Sequence, residues 1–205
     1  MAMPPHVLDH LVVAARTLEQ GLAWCEATLG VQPSAGGQHV FMGTHNRVVD
    51  ISTACYPLAY LEIIAIDPSL PPPDRARWFD LDDAAMQQRL AAAPQLVHWA
   101  ARVDDIAAAH AAMLADGIDC GRIIDAQRGA LRWRITVRDD GQRPQGGIAP
   151  ALIQWLGPHP ADALPASDVQ LASMSATRER IGVELQCPRG RVALMLNATV
   201  PSIST

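Results

Sequence analysis

The residue best placed to do chemistry is Glu62, the one carboxylate in the apolar run Ala59-Tyr60-Leu61-Glu62-Ile63-Ile64-Ala65-Ile66. Alternate side chains of a strand share a face, so Leu61, Ile63 and Ala65 take the buried side and Glu62 goes with Tyr60 and Ile64. An ionisable group there is either an acid kept from water at a cost, or the outward residue of an edge strand. Two histidines, His10 in Leu8-Asp9-His10-Leu11-Val12-Val13 and His98 in Leu96-Val97-His98-Trp99-Ala100-Ala101, occupy matching positions in apolar strands. Arg132 and Arg134 alternate with Leu131, Trp133 and Ile135, giving one strand face two guanidinium groups that suit a carboxylate or phosphate, or are plain solvated charge if that face is outward.

The elements that must position these residues repeat. Residues 7–13 read as a strand with Leu8, His10 and Val12 on one side and Val7, Leu11 and Val13 on the other. Thr17 caps a helix with Gln20 completing a capping box, Leu18, Leu22, Cys25 and Leu29 form its apolar stripe, and Gly30 ends it. Strands are expected near 38–43, 46–53 and 58–66, separated by Gly43-Thr44-His45-Asn46 and Tyr56-Pro57. A proline-rich linker and a short helix over 81–92 follow. The pattern then restarts: a strand with His98 opposite His10 and Trp99 facing a helix, a helix from Asp104 to Gly117, and strands near 121–127, 130–138 and 150–156. Leu152-Ile153-Gln154-Trp155 lies over Tyr60-Leu61-Glu62-Ile63. Each copy is too small to bury a core alone, so the two must share one. Residues 168–175, 182–186 and 191–196 read as added strands that cover an edge of the main sheet.

Composition excludes several roles. At 49% hydrophobic residues the chain can build a real core, yet its longest apolar runs fall far short of the roughly 20 residues of a spanning helix. The start, Met-Ala-Met-Pro-Pro-His, has neither the basic cluster nor the apolar segment of a signal peptide, which points to the cytoplasm. Cys25, Cys55, Cys120 and Cys187 are scattered and read as small apolar fillers, not as a zinc cage or disulfide framework. A net charge of -5 with no basic run, and few aromatics, argue against nucleic acid as a partner.

With these residues located, the chain resembles the glyoxalase-like domain family of the vicinal oxygen chelate superfamily. The resemblance rests on Leu8-Asp9-His10, Gly36-Gly37-Gln38-His39, Gly43-Thr44-His45-Asn46-Arg47 and the Tyr60-Leu61-Glu62 run ending in Asp67-Pro68, with Leu152-Ile153-Gln154-Trp155 echoing the closing strand. It implies an α+β fold of paired βαβββ modules forming an open, cup-shaped, eight-stranded mixed sheet with helices outside, plus the C-terminal β extension. The expected bounds are 6–66 and 95–157 for the modules, 67–94 for the linker and 158–205 for the extension, in one structural domain. It also implies a metal held by the first and last strands of each module, at His10, Glu62, His98 and Gln154. Two imidazoles and a carboxylate suit Fe, Mn, Ni or Zn.

Gln154 stands where glyoxalase-type isomerases carry a second carboxylate, and an amide cannot serve as a general base, so glyoxalase I chemistry is disfavoured. Glu62 remains a catalytic base only where it is free of the metal. The expectation is a metal-dependent lyase, isomerase or dioxygenase acting on a small oxygenated molecule. Its rival is a non-catalytic binding protein of the bleomycin-resistance type, holding no metal. Arg47, Arg132 and Arg134 are the substrate-contact candidates; His39, His45 and His110 read as surface histidines, and Trp78 as packing under its loop or capping the cup. A homodimer is compatible with the sequence, though one chain supplies both modules.

Overall fold

The computed structural model describes residues 7–198; the reading of residues 1–6 and the last stretch of the extension, 199–205, fall outside the described residues. The first module runs β1 (Val7–Ala14), α1 (Leu18–Leu29), β2 (Ser34–His39), β3 (Thr44–Asp50) and β4 (Tyr60–Ile66). After α2 (Ala84–Ala92), the second runs β5 (Gln95–Arg102), α3 (Ile106–Ala115), β6 (Arg122–Arg128), β7 (Leu131–Val137) and β8 (Ala151–Trp155). A curled, mixed sheet of eight strands results, in the order β2-β3-β4-β1-β5-β8-β7-β6. β1 pairs in parallel with β4 and antiparallel with β5, which joins the modules at the middle of the sheet.

Capping fixes the helices much as the sequence implies. The Thr17 hydroxyl accepts the Gln20 N–H, Gly30 takes the left-handed conformation at φ 79°, and the second cap is Asp105, one residue later than expected. The strand expected at 38–43 is displaced: β2 occupies 34–39, and Val40–Met42 form a 3-10 turn ending on left-handed Gly43.

The sheet has two apolar faces. On the outer one, Leu8, Leu11, Val13, Leu61, Ile63, Trp99 and Leu152 pack under Leu18, Cys25 and Leu29 of α1 and Ile106 and Met113 of α3. The extension forms a separate sheet of β9 (Gln170–Ala176), β10 (Arg180–Cys187) and β11 (Gly190–Asn197). Its Leu171, Ile181, Val183, Leu185 and Leu196 join that same outer core, so it covers a face, not the edge anticipated from its sequence. On the inner face, Val12, Ala14, Ile64, Val97, Ala100, Ile135 and Ile153 meet Trp78, Phe79, Leu81, Met86 and Leu90 of the linker and α2. The linker thus fills one end of the cup, and α2 lies inside it, unlike α1 and α3. No helix among the described residues is long and apolar enough to cross a membrane.

Candidate functional site

What the linker leaves open is a cavity of about 490 Å³. Its walls are Trp78, Phe79, Trp133, Trp155, Leu131 and Ile153; its polar groups include His10, Glu62, His39, Asn46, Arg128 and His159. An apolar body with an oxygenated head matches such a lining.

Glu62 lines this cavity, and β4 lies between β3 and β1, so both of its edges are paired and the edge-strand alternative is removed. Glu62 is 5% exposed. Asn46 on β3 donates Nδ2–H to Glu62 Oε1 at 2.6 Å, and the other oxygen, Oε2, stands 3.8 Å from His10 Nε2. Asn46 is oriented by its own partners, since its Oδ1 accepts the Gly37 N–H at 2.8 Å and Arg128 Nη1 at 3.2 Å.

His10 reaches the cup through a β-bulge. The β1–β5 register passes from Leu8↔Ala101 to His10↔Ala100, leaving Asp9 as the extra residue. Leu8 is thereby turned to the outer core with Leu11, correcting the simple alternation that grouped Leu8 with His10. Asp9 is fully buried and gathers three donors: His10 Nδ1 at 2.7 Å, Trp155 Nε1 at 2.9 Å and His159 Nε2 at 2.9 Å. The Ala161 N–H occupies His159 Nδ1, so the His159 proton sits on Nε2 and points at Asp9. Burial alone would raise the Asp9 carboxyl, but hydrogen bonds from His10 and His159, with their charge, hold it well below the usual carboxylate range. For His10, burial pushes the imidazole down, and the Asp9 bond with the charges of Asp9 and Glu62 outweighs it, leaving its pKa above the ordinary value of 6.5. The ring stacks on Tyr60 at 4.7 Å.

His39 is a site residue and not a surface histidine. It is buried at the end of β2, its Nε2 3.2 Å from Arg128 Nη1 and 4.0 Å from Glu62 Oε1, its Nδ1 3.2 Å from Thr44 Oγ1. Burial drives its pKa down to about 4, so the ring is neutral. Trp78 stands edge-on to it at 5.0 Å, both buried and lining the cavity. His45 stays half-buried beside Asp67, and His110 on α3 bonds the Gly121 carbonyl.

The expected metal quartet does not come together. Gln154 faces the outer side, where its Nε2 donates to the Asp104 carbonyl and its Oε1 lies 3.5 Å from the Ile106 N–H at the start of α3. The register explains this. Val12, two residues beyond His10, pairs with Glu62, whereas Ala100, two residues beyond His98, pairs with Ala151. Ala151 is therefore the structural counterpart of Glu62, and a methyl group cannot ligate. Its backbone N–H instead fills His98 Nε2 at 3.1 Å, and His98 Nδ1 is buried. Burial, with the charges of Arg143 and His10, takes the His98 pKa down to about 3. Among the described residues no group of three or more His, Cys, Asp or Glu side chains is spaced to hold a metal ion.

The arginines expected to meet substrate also face elsewhere. Arg132 and Arg134 alternate with Trp133 and Ile135, which line the cup, and Arg134 pairs with Asp125 at 3.3 Å. Arg47 alternates with Asn46 and Val48 and donates to the Asn46 carbonyl at 3.2 Å, bracing its strand. The residues that reasoning from the sequence missed are Asp9, His39, Asn46, Arg128 and His159. Two carried a signal: an aspartate beside His10 in an apolar run, and paired glycines ahead of His39, where a strand admits a close neighbour.

The chain matches the glyoxalase-like domain family over residues 8–182. It belongs to that family. Three solved structures are similar to this glyoxalase-like domain. Methylmalonyl-CoA epimerase of Streptomyces coelicolor, solved in complex with 2-nitronate-propionyl-CoA, is 19% identical over 74% of this chain and 99% of its own, with a TM-score of 0.46. The epimerase of Mycobacterium tuberculosis is 19% identical over 80% of this chain and 97% of its own, at 0.44. A hypothetical protein from Staphylococcus aureus is 11% identical over 93% of this chain and 85% of its own, at 0.56. No curated protein gives a match.

Proposed function

We propose that this glyoxalase-like domain takes a small oxygenated organic molecule into its cup and moves a proton on it, with Glu62 as base and His10 as acid. The observation carrying this reading is the pair itself: a buried carboxylate and a buried imidazole 3.8 Å apart at the polar end of an otherwise apolar cavity. Glu62 Oε2 takes a proton from a carbon beside a carbonyl, the bonding electrons pass to the carbonyl oxygen, and His10 Nε2–H stabilises the charge that develops there. Asp9 accepts the Nδ1–H and favours the doubly protonated ring, so that Nε2 carries the second proton toward the ligand. Asn46 leaves one Glu62 oxygen free to act. The aromatic walls exclude water, which lengthens the reach of these charges.

A divalent metal of the kind common to the superfamily would need His10, Glu62, His98 and Gln154 to converge. Ala151 in the fourth ligand position and the engaged His98 argue against it, and no step here passes through a metal. The apolar walls also favour a second reading, a sequestering protein that binds without turnover.

Hydrogen exchange separates the two. Wild-type protein in D2O with a panel of 2-oxo acids and short-chain thioesters should incorporate deuterium beside the carbonyl, read by NMR, and Glu62→Gln should lose at least about 100-fold of that rate while still binding. Binding without exchange in the wild type supports sequestration, and unchanged exchange in Glu62→Gln removes the proposed base. Dialysis against Zn(II), Ni(II) or Mn(II) should leave less than one bound equivalent; a full equivalent lost in a His10→Ala/His98→Ala double variant would restore the metal-dependent reading.

A further inference from the structure

We propose that Arg128 is the anion receptor of the cup, so that the ligand is a small carboxylic acid or a comparably charged molecule. The proposal rests on the cup being a small-molecule site, and not on Glu62 acting as a base.

Arg128 is the last residue of β6, at one edge of the sheet, yet its guanidinium reaches the opposite edge. Nη1 lies 3.2 Å from His39 Nε2 on β2 and 3.2 Å from Asn46 Oδ1 on β3. The curl of the sheet makes this crossing possible, and Gly37 makes room for it: a Cβ there would stand 2.7 Å from Arg128 Cδ and 3.1 Å from its Nε. Among the described residues Arg128 is the one Arg or Lys that lines the cavity. Both of its partners are neutral, since His39 is held uncharged by burial and Asn46 is an amide. Among the described residues it has no carboxylate within ion-pair distance, and its Nε and Nη2, the edge of a guanidinium that grips a carboxylate side-on, make no hydrogen bond.

A cation at the wall of a mostly apolar cavity, bonded only to neutral groups, is short of an anion. The cavity also explains why a cation is required. Glu62 would repel an acidic ligand from the polar end, and Arg128, linked to Glu62 through the Asn46 amide, offsets that repulsion. Arg132, Arg134 and Arg47 lie on the other side of their strands and cannot substitute for it.

The test uses 2-oxo-4-methylpentanoate and its ethyl ester, which share the 2-oxo body and differ in charge, with binding followed by fluorescence of the cavity tryptophans Trp78, Trp133 and Trp155. Wild-type protein should bind the acid at least roughly tenfold tighter than the ester, with the ratio falling as salt rises. Arg128→Gln should bring the ratio close to one, and Arg128→Lys should keep part of it. Thermal melts of both variants establish that they are folded, and the salt series on unmodified protein stands if either is not. Equal wild-type binding of acid and ester, no wild-type binding of either at millimolar concentration, or an undiminished ratio in a folded Arg128→Gln overturns the proposal. Glu62→Gln should retain the preference for the acid, so failure of the proton-transfer reading and failure of this one give different results.

Discussion

Asp9→Asn is the perturbation on which the geometry speaks most directly. The wild-type carboxylate is fully buried and accepts from His10, Trp155 and His159 at 2.7–2.9 Å. Asparagine keeps the shape but turns one acceptor into a donor, so an N–H must face an N–H, and it removes the charge that two imidazoles lean on. Losing one partner of a buried, hydrogen-bonded charge cluster costs about 3–5 kcal/mol. For a chain of this size that corresponds to a fall in Tm of roughly 6–20 °C. The pH dependence is diagnostic. The folded pKa of Asp9 is depressed, so its contribution is full above the unfolded value of 3.8 and is lost as pH falls through the folded one. The folded pKa of His10 is raised, so its contribution is full below 6.5 and is lost as pH rises through the folded value. The stability gap between wild type and variant, measured by urea denaturation across pH, should therefore be widest between 3.8 and 6.5 and narrow on both sides. A gap below about 1 kcal/mol at pH 6, where a surface substitution would fall, or one that does not vary with pH, would refute the argument.

Two further outcomes follow from packing and burial. Gly21→Ala should destabilise the protein by up to about 2 kcal/mol in urea denaturation, because the added methyl would stand 2.4 Å from Ile63 Cγ2, and an overpacking cost of about 1–3 kcal/mol outweighs the roughly 1 kcal/mol of helix propensity gained; a stabilised variant would show that α1 can shift. His39 and His98 are held neutral, with folded values near 4 and 3 against 6.5 unfolded, so stability should fall as pH drops below 6.5. His39→Gln should remove part of that slope, on the order of 2 kcal/mol between pH 7 and 4.5, and an unchanged slope would mean that the ring is not buried neutral.

Much of the scaffold was legible in residue order. Helix caps at Thr17 and Gly30, the linker prolines and the placing of Glu62 with Tyr60 opposite Leu61 and Ile63 depend on near neighbours, and all appear in the fold. The C-terminal strands were legible as strands, but their packing on the outer face was not, because an apolar strand carries no record of what will cover it. The site was legible only in part. His10 and Glu62 were found because they interrupt apolar runs. His39 was placed at the surface because its local sequence is turn-like, and its burial depends on Trp78 arriving from the linker.

By itself, the sequence determined the two βαβββ copies and, outside the bulge at Asp9, the alternation of faces along each strand, since periodicity and capping act over a few residues. Tertiary structure alone decided how those faces line up. A one-residue bulge at Asp9 brings His10 and its carboxylate to the cup together, while the β5–β8 register gives Ala151, not Gln154, the position opposite Glu62. The same holds for Arg128, which meets residues 82 and 89 positions away only because the sheet curls until its edges approach. Register, bulges and curl are set by the packing of both faces at once, and no short stretch of sequence contains that information.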